Sequence, residues 1–404
     1  MKNSNTTRTA IKIGIVAAIS LLLLIPLAMI KGVIKDREKT KKAVTEEVTE
    51  AYAKPQTVFA PYLASYVREE KTVDKQKQTY IETYYVDCTR VDYNAEVETD
   101  VLHRSIYDVI VYNSKVQISG TLPITEMPIA ARNCELRFLI SDVKGFCNSS
   151  KLTFGGESFE LNRKGDEFAA EVALPKGAKV GDAVDFAISF ELKGTESLFF
   201  HPSPTGQTSL AISSAYPHPS FQGAILPNHR EVTGDGFKAA WSVSSLSSSS
   251  RDNMGVKFVD PANPYQQSMR SVKYGILIII LVFVAGLFVE FLTKKEINPI
   301  QYAVIGLSLV LFYSLLLAFS EFMTFGGAYL IAVAMTTIAL ALYFRAILKS
   351  RSAYTLGGFV AVVFALNYTL LQLDTYALLA GSLVLFLMLC VVMYLTANIN
   401  TKTE

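Results

Sequence analysis

Residue types that usually announce chemistry are scarce in this 404-residue chain, which has four cysteines, four histidines and one tryptophan. No two cysteines form a CxxC, which excludes zinc ribbons and thioredoxin-like redox sites. There is no GxSxG, no HExxH, no P-loop and no GxGxxG after a strand pattern, so the common hydrolase, metalloprotease and nucleotide-binding signatures are missing. Charge is thin and balanced: 38 lysines and arginines face 36 acidic residues, and charged residues make up 18% of the chain. Between Lys31 and Lys273 there are 29 basic and 31 acidic side chains. That stretch lacks the clustered basic face a phosphate backbone demands, so no nucleic-acid partner is expected.

Apolar residues, by contrast, make up 50% of the sequence, and many fall in long runs. Five lie close together, at 274–292, 300–319, 327–347, 353–371 and 375–396. About 20 helical residues cross a hydrocarbon core of about 30 Å. Runs of this length with almost no charge present no polar face to water, which argues against soluble core helices. A sixth run, 11–30, is interrupted only by Lys12 and Ser20. It is too long for a signal-peptide core and lacks a small-x-small cleavage site. It reads as an uncleaved anchor, with Pro26 tolerated in lipid.

Loop charge predicts the orientation. Lys294, Lys295, Arg345, Lys349, Arg351 and Lys402 flank alternate breaks, while the breaks at 320–324 and 372–374 carry no base. The basic side is cytoplasmic by the positive-inside rule. Both termini are then cytoplasmic, and the middle of the chain lies outside.

That middle begins with a charged stretch, 32–54, expected to continue the first helix as a stalk. Val44, Val48 and Ala51 fall at helical spacing, and Lys54-Pro55 ends it. Residues 55–272 read as strands. Val184, Phe186, Ile188, Phe190 and Leu192 alternate with polar or small residues; so do Phe168, Ala170, Val172 and Leu174; Leu136, Phe138 and Ile140; and Phe237, Ala239, Trp241 and Val243. Period two with one apolar face marks half-buried antiparallel sheet. Gly155-Gly156, Pro175-Lys176-Gly177, Lys193-Gly194 and Gly234-Asp235-Gly236 are the turn signals between strands. The expected fold class is therefore an α-helical polytopic membrane protein of six spans, one plus five, carrying an all-β, sandwich-like domain of one or two modules. Its expected divisions are 1–31, 32–54, 55–272, 273–397 and 398–404. Cys88, Cys134 and Cys147 fall in the outer segment, where one disulfide can form. The pairing is open, Cys134–Cys147 closing the shortest loop. Cys390 is expected to pack inside the last span.

No catalytic residue, metal ligand or cofactor is expected. His218 and His229 do not form an i, i+4 pair and read as loop histidines. The densest cluster of unusual residues is Tyr216-Pro217-His218-Pro219-Ser220-Phe221, followed by Leu226-Pro227 and Arg230. Two prolines around one histidine fix an extended or turned backbone. Two readings stay open, a rigid connection between strands and an outward binding loop using Tyr216, His218, Phe221, Arg230 and Trp241. Within the membrane block, polar residues raise a functional suspicion. Glu290 lies four residues before Lys294, on the same helical face. Glu321 and Asp374 fall at outer ends of spans, where Asn367 could join them in a polar mouth. Asn298-Pro299 reads as an N-cap and first-turn proline, with Gln301 and Tyr302 following at headgroup level.

The cluster at 216–221, with Leu226-Pro227, Arg230-Glu231-Val232, Gly236-Phe237 and Trp241, resembles the signature of the CreD family. So do Pro299, Gln301-Tyr302, Gly306-Leu307-Ser308-Leu309-Val310, Phe312-Tyr313 and 317–321, and the N-terminal run 21–26 with its charged continuation. The resemblance covers most of the chain and is strongest over 210–325. It implies a multi-pass protein of the bacterial inner membrane, with a large periplasmic domain and a role in envelope integrity and stress tolerance. It carries no molecular activity, and neither His229 nor the outer cysteines belong to its pattern. The expectation is a non-enzymatic protein surrounded by membrane lipid, binding an envelope component or a periplasmic or inner-membrane protein. The alternatives are a transporter or channel using the six-span bundle, and a membrane enzyme with a site near His218.

Overall fold

The computed structural model of the chain describes residues 2–73, 76–131, 133–249, 251–260, 263–293, 295–350 and 352–372, and residues 382, 386, 390 and 393. Most of the run 375–396 lies outside the described residues, as do Lys294, Arg351, Asp374 and Lys402. The chain divides into two compact units, one made of Met1–Lys41 with Ala262–Glu404 and the other of Lys42–Pro261.

The second unit is built on the alternation visible in the sequence. In strand Ala183–Thr195, Val184, Phe186, Ile188, Phe190 and Leu192 are buried while Asp185, Ala187 and Glu191 are exposed. The same period repeats along Tyr107–Pro123 and Gly236–Ser244. An eight-stranded sheet runs in the order His229–Thr233, Gly236–Ser244, Gln207–Ser214, Arg90–Arg104, Tyr107–Pro123, Ala183–Thr195, Phe146–Phe154, Glu157–Phe159. A five-stranded sheet runs Gln76–Asp87, Tyr62–Val73, Asn133–Leu139, Glu167–Val172, Asn162–Lys164. A four-stranded sheet runs Gln56–Val58, Ser197–Phe200, Met254–Phe258, Pro219–Gly223.

All three sheets contribute to one continuous core, so this is a single β module. Phe138 and Phe168 from the five-stranded sheet stack with Phe146 and Phe190 from the eight-stranded sheet, at centroid distances of 4.1–5.4 Å. Tyr93 and Tyr112 reach Phe200 and Phe258 of the four-stranded sheet at 4.9 and 5.4 Å. The pairing is antiparallel except at two places, where Gln207–Ser214 runs parallel to Arg90–Arg104 and Gln56–Val58 parallel to Ser197–Phe200.

Three expectations are corrected here. Lys193-Gly194 is not a turn but lies within Ala183–Thr195, with Gly194 opposite Tyr112. A Cβ on Gly194 would sit 2.4 Å from the Tyr112 hydroxyl, so the glycine permits a close approach of backbone to ring rather than a reversal. Second, Pro264–Lys273 is a helix in a region read as strands, with the Asn263 side chain accepting from Tyr265 N at 3.2 Å. Third, the cysteines are free. Cys134 lies on the five-stranded sheet, Cys147 on the eight-stranded one, and Cys88 Sγ donates to Pro61 O at 3.0 Å in the core. Burial pushes the Cys88 and Cys134 thiols above their ordinary range, which makes both poor nucleophiles. Cys390, expected to pack, is exposed.

Among the described residues, four helices are long and apolar enough to cross a membrane, or five if a bent pair is one span. The first covers Ile11–Ala51, so the helical segment runs through the charged stretch and stops just before Lys54-Pro55. Pro299–Ser320, Phe325–Leu348 and Ser352–Gln372 are the next three. The bent pair is Pro264–Lys273 with the following helix, at 43°. Small residues permit close helix contacts. Gly306 faces the Leu23 side chain and Gly357 faces Ala341. At the centre, Phe312 meets Phe364 at 4.3 Å and Tyr329 at 5.4 Å.

Gly194→Ala should destabilise the β module by about 1–3 kcal/mol, the usual cost of overpacking. Chemical denaturation of the full-length protein, followed at Trp241, measures it.

Candidate functional site

The 216–221 cluster is anchored on both sides. Tyr216 donates its hydroxyl to Val259 O at 2.7 Å and meets Phe258 and His218 edge-on, at 5.7 and 6.1 Å. Phe221 meets Phe237 and Trp241 edge-on at 5.6 and 6.0 Å, and Trp241 Nε1 donates to Ile225 O at 3.2 Å. Tyr216, Phe221 and Trp241 thus pack the segment onto the module. Pro219–Gly223 is itself an edge strand paired with Met254–Phe258. Of the five candidate binding residues, His218 and Arg230 are the exposed ones. Among the described residues no ion pair joins Arg230 to Glu231 or Asp235, and no group of three or more His, Cys, Asp and Glu could hold a metal.

Arg230 sits on His229–Thr233, the edge strand of the eight-stranded sheet, all five of whose residues are exposed. Beside that edge is a groove of about 500 Å³ lined by Glu96, Glu98, Ser213, Glu231, Asp235 and Lys238, among others. Register explains the grouping. Glu96 lies opposite Ser213, Ser213 opposite Lys238, and Lys238 opposite Glu231, which makes one row across four strands. Phe237 forms part of the wall and carries the contact to Phe221. The groove holds four carboxylates against one lysine, so it favours a cationic or hydrogen-bonding ligand.

A second polar feature, which the sequence analysis did not pick out, lies on the outward face of the five-stranded sheet. Arg137 Nη1 donates to Glu167 at 2.9 Å, and its Nη2 and Nε donate to Glu135 at 2.8 and 3.0 Å. Lys164 also pairs with Glu135. Tyr62 donates to Glu167 at 2.7 Å and Tyr66 to Glu135 at 2.9 Å. Burial and the neighbouring carboxylates push the Tyr62 and Tyr66 phenols up. Burial alone would raise the Glu135 carboxyl, but hydrogen bonds from Lys164, Arg137 and Tyr66 outweigh it and hold the group below its ordinary value of 4.5. These residues come from four strands (Tyr62–Val73, Asn133–Leu139, Glu167–Val172 and Asn162–Lys164), so no sequence spacing announced them.

The intramembrane candidates divide between the two ends of the bundle. Glu290 was expected to pair with Lys294, four residues on, which lies outside the described residues. Its ion-pair partner is Lys12, and Tyr302 donates to its second oxygen at 3.3 Å. Tyr302 is held over Gly286 and edge-on to Phe283 at 5.4 Å. Gln301 is a helix cap: its Oε1 accepts from Asn298 N at 2.9 Å, while Asn298 Oδ1 accepts from Ile300 N at 3.1 Å. Lys295 donates to Leu348 O and so closes the end of the helix Phe325–Leu348. Lys12, Lys295 and Lys349 thus gather at one end. At the other, Glu321 accepts from Tyr265 at 3.2 Å and lies 3.6 Å from Arg37. Its side chain is 8% exposed, so it is not a solvated helix end. Asn367 is buried and donates to Tyr329 OH at 3.0 Å and Ser271 Oγ at 3.4 Å.

The family described as "Inner membrane protein CreD" matches residues 8–402. The inner membrane protein CreD of Escherichia coli (strain K12) is 30% identical over 338 residues, which cover 74% of this chain and 72% of that protein. Among solved structures, the M1 zinc metallopeptidase from Deinococcus radiodurans aligns over 43% of this chain and 42% of its own, at 8% identity and a TM-score of 0.23. A likeness that faint bears on neither fold nor chemistry.

Two outcomes test these assignments. Glu135→Gln should cost about 1.5–3 kcal/mol, the range for hydrogen bonds to charged groups. Because its pKa is depressed in the fold, the wild-type advantage is full above pH 4.5 and fades as pH falls through the native value. Hydrogen exchange in the strands Tyr62–Val73 and Asn133–Leu139 reads both effects. In the bundle, Glu290→Gln should lower stability by about 3 kcal/mol, the low end for breaking a buried pair. Replacing both partners, as Lys12→Met with Glu290→Leu, should recover most of that loss in thermal unfolding of the detergent-solubilised protein.

Proposed function

We propose a function from the premise that this chain belongs to the CreD family of inner membrane proteins: it contributes to cell-envelope integrity and stress tolerance by binding, not by catalysis. In this reading the β module lies in the periplasm and binds an envelope component or a partner protein. Both termini are cytoplasmic, and six spans hold the chain in the bacterial inner membrane. The observation that carries the binding role is the groove along the edge strand His229–Thr233, with Glu96, Glu98, Glu231 and Asp235 around it. It adjoins the segment whose motifs resemble the family most closely. The loop charges support the orientation, since Lys294, Lys295, Arg345, Lys349 and Arg351 flank alternate breaks while 320–324 and 372–374 carry no base, and bases accumulate on the cytoplasmic side.

A second reading, transport through the bundle, gains one observation. The helix preceding the apolar block is bent by 43° against its successor, and interrupted helices line polar sites in many carriers.

The test is charge reversal in the groove. Glu96→Lys with Glu98→Lys should abolish complementation of a deletion strain under detergent, colicin or cell-wall antibiotic stress, with membrane abundance unchanged. Full complementation would remove the groove as the binding site. Alkaline phosphatase inserted within residues 100–200 should be active, and inactive at the carboxyl end; the reverse pattern would overturn the orientation.

A further inference from the structure

The end of the bundle that holds Glu321 also holds polar atoms with no protein partner. Helix Pro264–Lys273 buries Tyr265, Ser268, Ser271 and Val272. Tyr265, Ser268 and Ser271 recur every third residue, so they form one stripe along the helix. At one end of the stripe Tyr265 donates to Glu321 Oε1 at 3.2 Å. At the other, Ser271 Oγ lies 3.4 Å from Asn367 Nδ2, which also donates to Tyr329 OH. Tyr329 in turn donates to Phe364 O at 2.8 Å. Along this line Ser268 Oγ and Asn367 Oδ1 are buried without a partner. So is the hydroxyl of Tyr313, whose ring packs against Gly275, four residues beyond Ser271. Ser268, Tyr313 and Asn367 are 1%, 1% and 3% exposed.

Buried polar groups almost always have a partner, ordered water included. Ser268 belongs to this stripe, Asn367 meets its end at Ser271, and Tyr313 packs beside the bend at Gly275, so three helices bring orphaned oxygens to this region. We propose that Ser268, Tyr313 and Asn367 form a binding site inside the bundle for a small uncharged molecule that both donates and accepts hydrogen bonds, filled by water in the resting protein. The donor set fits this chemistry. Asn367 Oδ1 can only accept, whereas the two hydroxyls donate or accept. A cation would find oxygens but no free countercharge, because the carboxylate reached through Tyr265 is already 3.6 Å from Arg37. Backbone interruptions at membrane depth are tolerated where they border such a hydrated space. The site is independent of the groove on the β module and of any ligand bound there.

Two measurements on the full-length protein in lipid nanodiscs decide the matter. Ser268→Ala and Tyr313→Phe each remove one hydroxyl that has no hydrogen-bond partner in the protein. If water bridges them, each variant melts about 2–4 °C below wild type. Dry orphans give the opposite sign, and unchanged or raised melting temperatures overturn the proposal. The second measurement is thiol reactivity. Ser268→Cys should react with a small water-soluble alkylating reagent, read by mass spectrometry of the peptide carrying residue 268. Leu309→Cys, at a fully buried apolar position in helix Pro299–Ser320, should stay unmodified. Equal protection of both positions sinks the site. So does a sodium-dependent rise in melting temperature that Ser268→Ala abolishes, because it would make the occupant a cation.

Discussion

The ion pair between Lys12 and Glu290 is the contact on which the architecture turns. Its partners are 278 positions apart in sequence. A charge left alone among apolar helices is costly, and each of these groups offsets the other's desolvation. Tyr302 adds a hydrogen bond to the same carboxylate, and Gly286 leaves room for its ring. Gly306 brings the helix Pro299–Ser320 against Leu23 of the same N-terminal segment. The first helix is therefore a component of the bundle rather than a separate tether. The β module, Lys42–Pro261, is an insertion between two parts of one helical unit.

The strands were legible because a half-buried sheet imposes a period of two, and the chain obeys it along Ala183–Thr195 and Gly236–Ser244. What escaped were features where a residue has two possible meanings. Gly194 looked like punctuation and instead clears space for Tyr112. Asn263-Pro264 was a readable cap, yet helix Pro264–Lys273 is only ten residues long and polar on average, so periodicity did not flag it. The cysteines suggested a bridge by compartment alone, but two of the three ended on different sheets and the third in the core.

The candidate sites were legible in part. Tyr216, Phe221 and Trp241 were singled out for their chemistry, and their role is to fasten a connection to the sheet, with His218 and Arg230 left in solvent. The groove and the Glu135 network come from cross-strand register, which brings together residues more than a hundred positions apart in sequence. Glu290 was recognised as unusual, but helical spacing pointed to Lys294 because only local partners can be read from a sequence. Asn298 and Pro299 were placed correctly as a helix start, since a cap is a local feature, whereas Gln301, read at headgroup level, completes the capping box.

The discontinuous helical unit has a consequence for biogenesis. A ribosome adds about 5–20 residues per second. The first helix is therefore made roughly 15–60 s before its acidic partner exists. During that interval Lys12 has no carboxylate from the later helices, and 220 intervening residues can begin to fold while the bundle is still incomplete. Assembly of the helices closes the chain last, so a nascent molecule stalled before residue 290 is the state most exposed to membrane quality control.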